Sequence, residues 1–469
     1  MKVFGWLSLL IVLSGGYATR AAAHATPHVL EMVFPESGYV LVSNRGLIFG
    51  DAERANWQLM CAEALHINTS ERPSVVSVSN GALLVGTSMG LSRTNDRGCH
   101  WEGVEPFAET SVPALIHDPA SPQRLYLAAY SNQPDGKGGV YVSEDAGKTW
   151  QKLMPADERD YVGTIRLAPG DAKRIYASGQ TWDGSGKYSF YIASSSDAGK
   201  TWQRTPVQLT EEELEVTLFA VHPKNPELIT ARAGGRSPMS IPERLLVSRD
   251  AGKTWSSPLA ITLLSSVAFS ADGSKTWVAG GDGLFESTDD LATFKRLGDA
   301  TSMSYVTERE GQLLVAGYYT GLGSGDNGIG EMRAPDRYDS FMQLTDVKAP
   351  VACDASSPTA QTCAPWWMDW QRELLDGQFA GDAGMPVGTA GASGAVAASG
   401  TGGSAAGGSA AAGMGAAGSA AGAAAGSTAG TSAAGSSGGG GCSAGGTPRS
   451  AGAWLLLAAA ALFERRRRR

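Results

Sequence analysis

Three near-identical boxes predict an all-β chain folded as a seven-bladed β-propeller. "SEDAGKTW" at 143–150 returns as "SSDAGKTW" at 195–202 and as "SRDAGKTW" at 248–255. Asp145, Asp197 and Asp250 stand 52 and 53 residues apart, a spacing that suits one four-stranded blade. Each box follows a short alternating run, "GGVYVS", "FYIASS" or "RLLVS", which reads as a strand.

In chain order, residues 1–25 read as a secretory signal peptide. Lys2 precedes the apolar run "VFGWLSLLIVL", and "AAA" and "AHA" place cleavage near Ala23 or Ala25. The run of 11 residues is too short to span a bilayer.

The propeller is expected over 28–345, with each box as a hairpin turn. Gly-Lys-Thr in the box raises the alternative of a phosphate loop, but that loop needs a glycine five residues before the second one. Val142, Ser194 and Val247 occupy those positions. A turn accounts for the residues better. The Asp145, Asp197 and Asp250 carboxylates can accept N–H groups just ahead of them. Gly147, Gly199 and Gly252 allow a positive φ. Thr149, Thr201 and Thr254 can bond the loop back on itself, and Trp150, Trp202 and Trp255 can pack between strands. Ser143, Ser195 and Ser248 open the boxes.

Degenerate copies fill the gaps. "TNDRGCHW" keeps Asp96, Gly98 and Trp101. "STDDLATF" keeps Ser287, Asp289, Thr293 and Phe294. "APDRYDSF" keeps Asp336, Ser340 and Phe341, while "GDAERANW" at 50–57 keeps only Trp57. That makes seven hairpins, with six or eight blades as the alternatives because the first and last boxes depart most from the pattern. The first half of the blade repeats too, as in "LIHDPASPQRLYLAA" and "AVHPKNPELITAR". His117 and His222 beside these turns read as turn residues, and the remaining histidines show no metal spacing, so neither metal nor cofactor is expected.

The pattern Ser-x-Asp-x-Gly-x-Thr-Trp resembles the Asp-box, or BNR repeat, of sialidases, sortilin-type receptors and propellers related to photosystem assembly factors. The resemblance implies a structural box on outer turns. It carries no catalytic residue over to this chain. A sialidase would also need an early Arg-Ile-Pro motif, and only "SIP" at 240–242 is present, without its arginine.

Residues 346–380 read as a cap that closes the domain, with a short helix over "PWWMDWQRELL". Cys61, Cys99, Cys353 and Cys363 are the cysteines of the exported domain, and four cysteines allow three pairings. The nearest pair in sequence is Cys353–Cys363, which would make a local loop ahead of the helix and leave Cys61 with Cys99. Residues 381–441 form a Gly/Ala/Ser-rich linker that cannot bury enough apolar surface to offset its ordering entropy.

Residues 442–469 hold Cys442, a 13-residue apolar run Ala451–Phe463 and five terminal arginines. This segment resembles the MYXO-CTERM tail of myxobacterial surface proteins, which implies processing near Cys442 and display at the cell surface or outer membrane. The formal net charge is −8, and without Lys2, Arg20, Arg449, Glu464 and Arg465–Arg469 it is −15. So acidic a domain excludes nucleic acid as an expected partner.

The Asp-box resemblance implies that the boxes sit on the third-to-fourth-strand turns, so function is expected on the opposite face, where long second-to-third-strand loops gather. Those loops, "YSNQPDGKGG", "QTWDGSGKYS", "AGGRSPMSIPE" and "YYTGLGSGDNGIG", carry Tyr130, Asp135, Trp182, Asp183, Arg236, Tyr318 and Tyr319. A tryptophan beside an aspartate suits a sugar, by stacking on the ring and accepting hydroxyl protons. The acidic stretches at 156–161 and 210–215 suit a basic protein instead. The expectation is a surface-anchored binding module with a carbohydrate or basic-protein ligand, and the alternative is a displayed glycosidase.

Overall fold

The computed structural model describes residues 28–375 except 68–70, 79–80, 236–241, 300, 318–327 and 335–336. The signal peptide, the linker and the Cys442 tail therefore lie outside the described residues, as do Arg236, Tyr318, Tyr319 and Asp336.

Seven antiparallel meanders follow one another over 29–61, 74–103, 111–155, 160–206, 213–261, 266–297 and 303–343. The first strand of each packs on the first strands of both neighbours, and Val29–Val33 of blade one touches both Ser74–Ser77 and Met303–Arg309. This closes a ring of seven, rather than six or eight.

The alternation in the sequence follows from this stacking. Middle strands such as Gly139–Ser143 are sandwiched between two blades and are buried throughout, whereas outer strands such as Gln151–Pro155 keep exposed positions. Seven apolar clusters fill the seven blade interfaces. Each fully buried Leu, Ile or Val there contributes roughly 1.5–3 kcal/mol, so the core is a girdle of interfaces around the axis.

Blades seven and one share no strand. They meet through Met32, Leu41 and Ile48 against Leu314, Ile329 and Met342. The chain then crosses this seam. Val347–Pro350 pairs in parallel with Trp57–Cys61 as a fifth strand of blade one. The helix Pro358–Leu375 lies along the same edge, with Cys363 in the interface of blades one and two and Trp370 in that of blades seven and one.

The helix starts seven residues earlier than "PWWMDWQRELL" suggests. Buried Ser357 caps it by accepting the Ala360 N–H at 3.1 Å, and Pro358 takes the first position, where a missing N–H is harmless.

The disulfides are Cys61–Cys363 and Cys99–Cys353, with sequence separations of 302 and 254. The local Cys353–Cys363 loop is therefore replaced by two long-range staples. Cys353 precedes the helix and faces the blade-two turn, while Cys363 lies inside the helix and faces blade one. The Thr359 hydroxyl donates to the Gly98 carbonyl at 2.6 Å, which fastens the helix start to the same turn.

Candidate functional site

In the DAGKTW turns, nearly every polar group is spent on the turn itself. Ser143 Oγ donates to Asp145 Oδ1 at 2.8 Å and accepts the Gly147 N–H at 2.8 Å. Asp145 Oδ1 accepts the Lys148 and Thr149 N–H groups at 3.0 and 2.8 Å, and Oδ2 accepts the Thr149 hydroxyl at 2.6 Å. Ser195, Asp197, Gly199 and Thr201 repeat the arrangement, as do Ser248, Asp250, Gly252 and Thr254. Asp197 and Asp289 are pulled down to about 2, first by the Thr201 and Thr293 hydroxyls and then by backbone N–H groups.

Two successive residues take the left-handed conformation, Ala146 at φ 59° and Gly147 at φ 83°. The Ala146 N–H reaches the Gln123 carbonyl at 2.8 Å, which ties the turn to its own blade's second strand. A Cβ on Gly147 would lie 2.6 Å from Leu84 of the preceding blade. Trp101, Trp150, Trp202 and Trp255 each pack into the interface with the preceding blade, and the box lysines are exposed.

The degenerate copies keep the geometry with other atoms. Thr94 replaces serine, and His100 replaces threonine by donating its N–H to Asp96 Oδ1 at 3.0 Å, with its ring Nδ1 2.7 Å from Oδ2. Ser287 and Asp289 hold Leu291 and Thr293, with Leu291 at φ 63° in the glycine position. In the first hairpin the carboxylate is Asp51, which accepts the Ala55 N–H at 2.7 Å and the Asn56 side-chain amide at 2.6 Å. The sequence pattern missed it because its partners are Ala55 and an asparagine. The copy at 334–341 differs. The strand Arg337–Gln343 resumes after 335–336, so Ser340 and Phe341 stand within a strand.

The opposite end of each meander holds the turn between its second and third strands. In blade four the strands Asp171–Trp182 and Tyr188–Ser195 meet there in a long hairpin, with Trp182 and Tyr188 as cross-strand partners. Opposed residues project from the same face of a sheet. Trp182 is 43% exposed and Tyr188 45%, so the pair forms an open aromatic surface. Asp183 is engaged below it. Its Oδ1 accepts the Ser185 N–H and hydroxyl, both at 2.7 Å, and the hydroxyl first of all holds this carboxyl below the usual range.

A groove of about 540 Å³ lies beside the hairpin between Gln133–Gly136 and the connection 155–160. The hairpin is pinned to it, since the Trp182 N–H reaches the Arg159 carbonyl at 2.9 Å. Tyr130 stacks edge-on against Tyr161 with ring centroids 5.4 Å apart. Asp135 lies in the loop of the groove wall and accepts the Lys137 N–H at 2.9 Å.

Asp157 and Glu158 line the groove, and buried Asp160 is tied to Arg204 at 2.5 Å and to the Tyr191 hydroxyl at 2.5 Å. Burial, and then the Asp160 charge, raises the Tyr191 hydroxyl well above its ordinary value.

The structure therefore brings Tyr130, Asp135, Trp182 and Asp183 to one side, at blades three and four. Tyr188 and the Arg204 and Tyr191 partners of Asp160 were missed, while Asp160 and Tyr161 fell within the acidic stretch 156–161. Tyr188 was within reach, because a hairpin centred on Ser185 places it opposite Trp182. In the acidic stretch 210–215, Glu213 is internal, held by Arg244 at 2.5 and 2.8 Å, while Glu211 and Glu212 are exposed.

These features define the class, a seven-bladed β-propeller with self-satisfied rim turns and an aromatic hairpin beside an acidic groove. A family model described as sortilin, neurotensin receptor 3 (Sortilin-Vps10) matches residues 138–278. The oligoxyloglucan-reducing end-specific xyloglucanase of Emericella nidulans is 23% identical over 254 residues, covering 47% of this chain. A probable enzyme of the same name from Neosartorya fischeri is 22% identical over a stretch of the same length. The chain covers only 30% of the length of each of these two proteins. The crystal structure of an ancestral GH74 enzyme aligns over 67% of this chain and 46% of that one, with 15% identity and a TM-score of 0.49.

Proposed function

We propose that this chain is an exported, surface-displayed module that binds polysaccharide through the blade-three and blade-four face. The observation that carries the reading is the Trp182–Tyr188 pair, exposed side by side on a hairpin pinned to an acidic groove. Aromatic faces stack on the apolar faces of sugar rings, and the carboxylates of Asp157 and Glu158 supply hydroxyl acceptors. Two disulfides suit an oxidising compartment outside the cytoplasm. Export and anchoring rest on the terminal signals, with attachment near Cys442.

The test is titration of the mature protein with soluble xyloglucan and with other β-glucans, beside Trp182→Ala and Tyr188→Ala. Saturable binding that both variants lose is the expected result. Binding that survives in both variants removes the assignment.

A second reading is favoured by the similarity to the xyloglucanases, in which the groove would cleave the glycan it binds. Hydrolysis needs two carboxyl groups roughly 5–10 Å apart. Asp157 and Glu158 are the lining carboxylates least committed to internal pairing. Release of reducing ends from xyloglucan that stops in Asp157→Asn or Glu158→Gln would select this reading over simple binding.

A further inference from the structure

The blade-four hairpin has two unlike faces. Along its ladder Trp182 pairs with Tyr188, Gln180 with Phe190 and Ser178 with Ile192. Side chains alternate between faces along each strand, so these residues share one face. That face looks toward blade five. Phe190 and Ile192 pack in the cluster that holds Val216 and Leu218 of blade five. Ser178 Oγ lies 2.5 Å from the Thr164 hydroxyl, which accepts the Leu218 N–H at 3.3 Å.

The other face carries Thr181 opposite Ser189, with Tyr191 in the next row. It looks toward blade three, because Tyr191 packs with Val140 and Met154 of that blade. The Tyr191 hydroxyl and Arg204 hold Asp160 in the wall of the acidic groove, so the groove lies on this side. The described residues that line it include neither Trp182 nor Tyr188. Ser189 is exposed and Thr181 half-buried, and neither hydroxyl carries a hydrogen bond among the described residues. The tip between the two faces is open, since a Cβ on Gly184 or Gly186 would meet nothing within 4 Å.

We propose that the ligand is an internal stretch of a linear glycan that crosses this hairpin, stacked on its blade-five side and hydrogen-bonded on its blade-three side. The inference rests on the polysaccharide reading and adds the length and path of the ligand. A sugar ring offers apolar faces to Trp182 and Tyr188, and hydroxyl edges to Thr181, Ser189, Asp157 and Glu158. One sheet with side chains on both faces is about 10 Å thick, more than one ring can span. A short fragment therefore reaches one face only. A longer chain reaches both, and its second contact is tethered by the first, so it adds affinity without a second loss of translational freedom.

The experiment is calorimetric titration of the mature protein with soluble xyloglucan and with other β-glucans, each intact and as size-fractionated fragments. Affinity should rise about tenfold or more from the shortest fragments to the long ones. Trp182→Ala should weaken binding at every length. Asp157→Asn combined with Glu158→Gln should leave the shortest fragments unchanged and cancel the gain with length. All three side chains are exposed, so these variants should fold as wild type does. Binding that is independent of length yet abolished by Trp182→Ala overturns the crossing and leaves the polysaccharide reading intact. The crossing is also overturned if both variants weaken the shortest fragments alike, as a single site would. Failure of every glycan to bind removes both.

Discussion

Removing the staples of the C-terminal strap one at a time and together tests how the ring is held shut. The two disulfides close chain loops of 302 and 254 residues. In the chain-entropy model, a first cross-link of that length restricts the unfolded chain by about 5.5 kcal/mol. The second then closes only the short circuit of 61–99 and 353–363, about 48 residues, and adds about 4 kcal/mol. Either bond removed alone, as Cys61→Ser with Cys363→Ser or Cys99→Ser with Cys353→Ser, should therefore cost about 4 kcal/mol. Removing both should cost about 9–10 kcal/mol, more than the two single losses combined. Measured losses fall below this model as a rule, so the inequality is the sharper expectation. The assay is urea unfolding of the four proteins under non-reducing conditions, with the midpoints compared at matched slopes. A single removal as damaging as the double one would refute the reasoning. The strap would then act as one packed unit, held by Cys363 and Trp370 in the blade interfaces, and not through the entropy of the unfolded chain.

Gly199→Ala should destabilise the fold by about 1–3 kcal/mol, because the new Cβ would lie 2.6 Å from Leu153 at φ 84°. Gly184→Ala, at φ 86° with nothing within 4 Å, should cost only about 1 kcal/mol in the same melt. Trp182→Ala should leave the unfolding midpoint within about 0.5 kcal/mol of wild type while weakening polysaccharide binding tenfold or more, as read by titration. Asp197 and Asp289 titrate at about 2 in the folded chain, below the unfolded value. Their stabilisation should be complete above about pH 4 and lost as pH falls toward 2, and Asp197→Asn should flatten a melting profile taken over that window. Cys442→Ala should release the ectodomain to the medium or trap its precursor, as read by cell fractionation.

The sequence by itself determined the repeat and the chemistry of its turns. Asp197 binds Thr201 four residues on, and Ser195 binds Gly199 four residues on, so every partner lies within one quoted box. The expectation of seven blades came from the same periodicity, and only the closed ring of first-strand contacts decided it against six or eight. The end of the blade that carries the long loops was expected from the Asp-box resemblance, which puts the boxes on the third-to-fourth-strand turns, and in a four-stranded meander the second-to-third turn lies at the other end. Tertiary structure alone decided the rest. Cys99 meets Cys353 only after seven blades have closed a ring, and nothing near either residue selects its partner. The helix lies across the seam because Trp370 fills an interface made by the first and last blades. The strand Val29–Val33 touches Met303–Arg309 only because the last blade has come round to the first. Turn hydrogen bonds are set by neighbours within a few residues, whereas ring closure brings together residues whose separation along the chain carries no information about their distance in space.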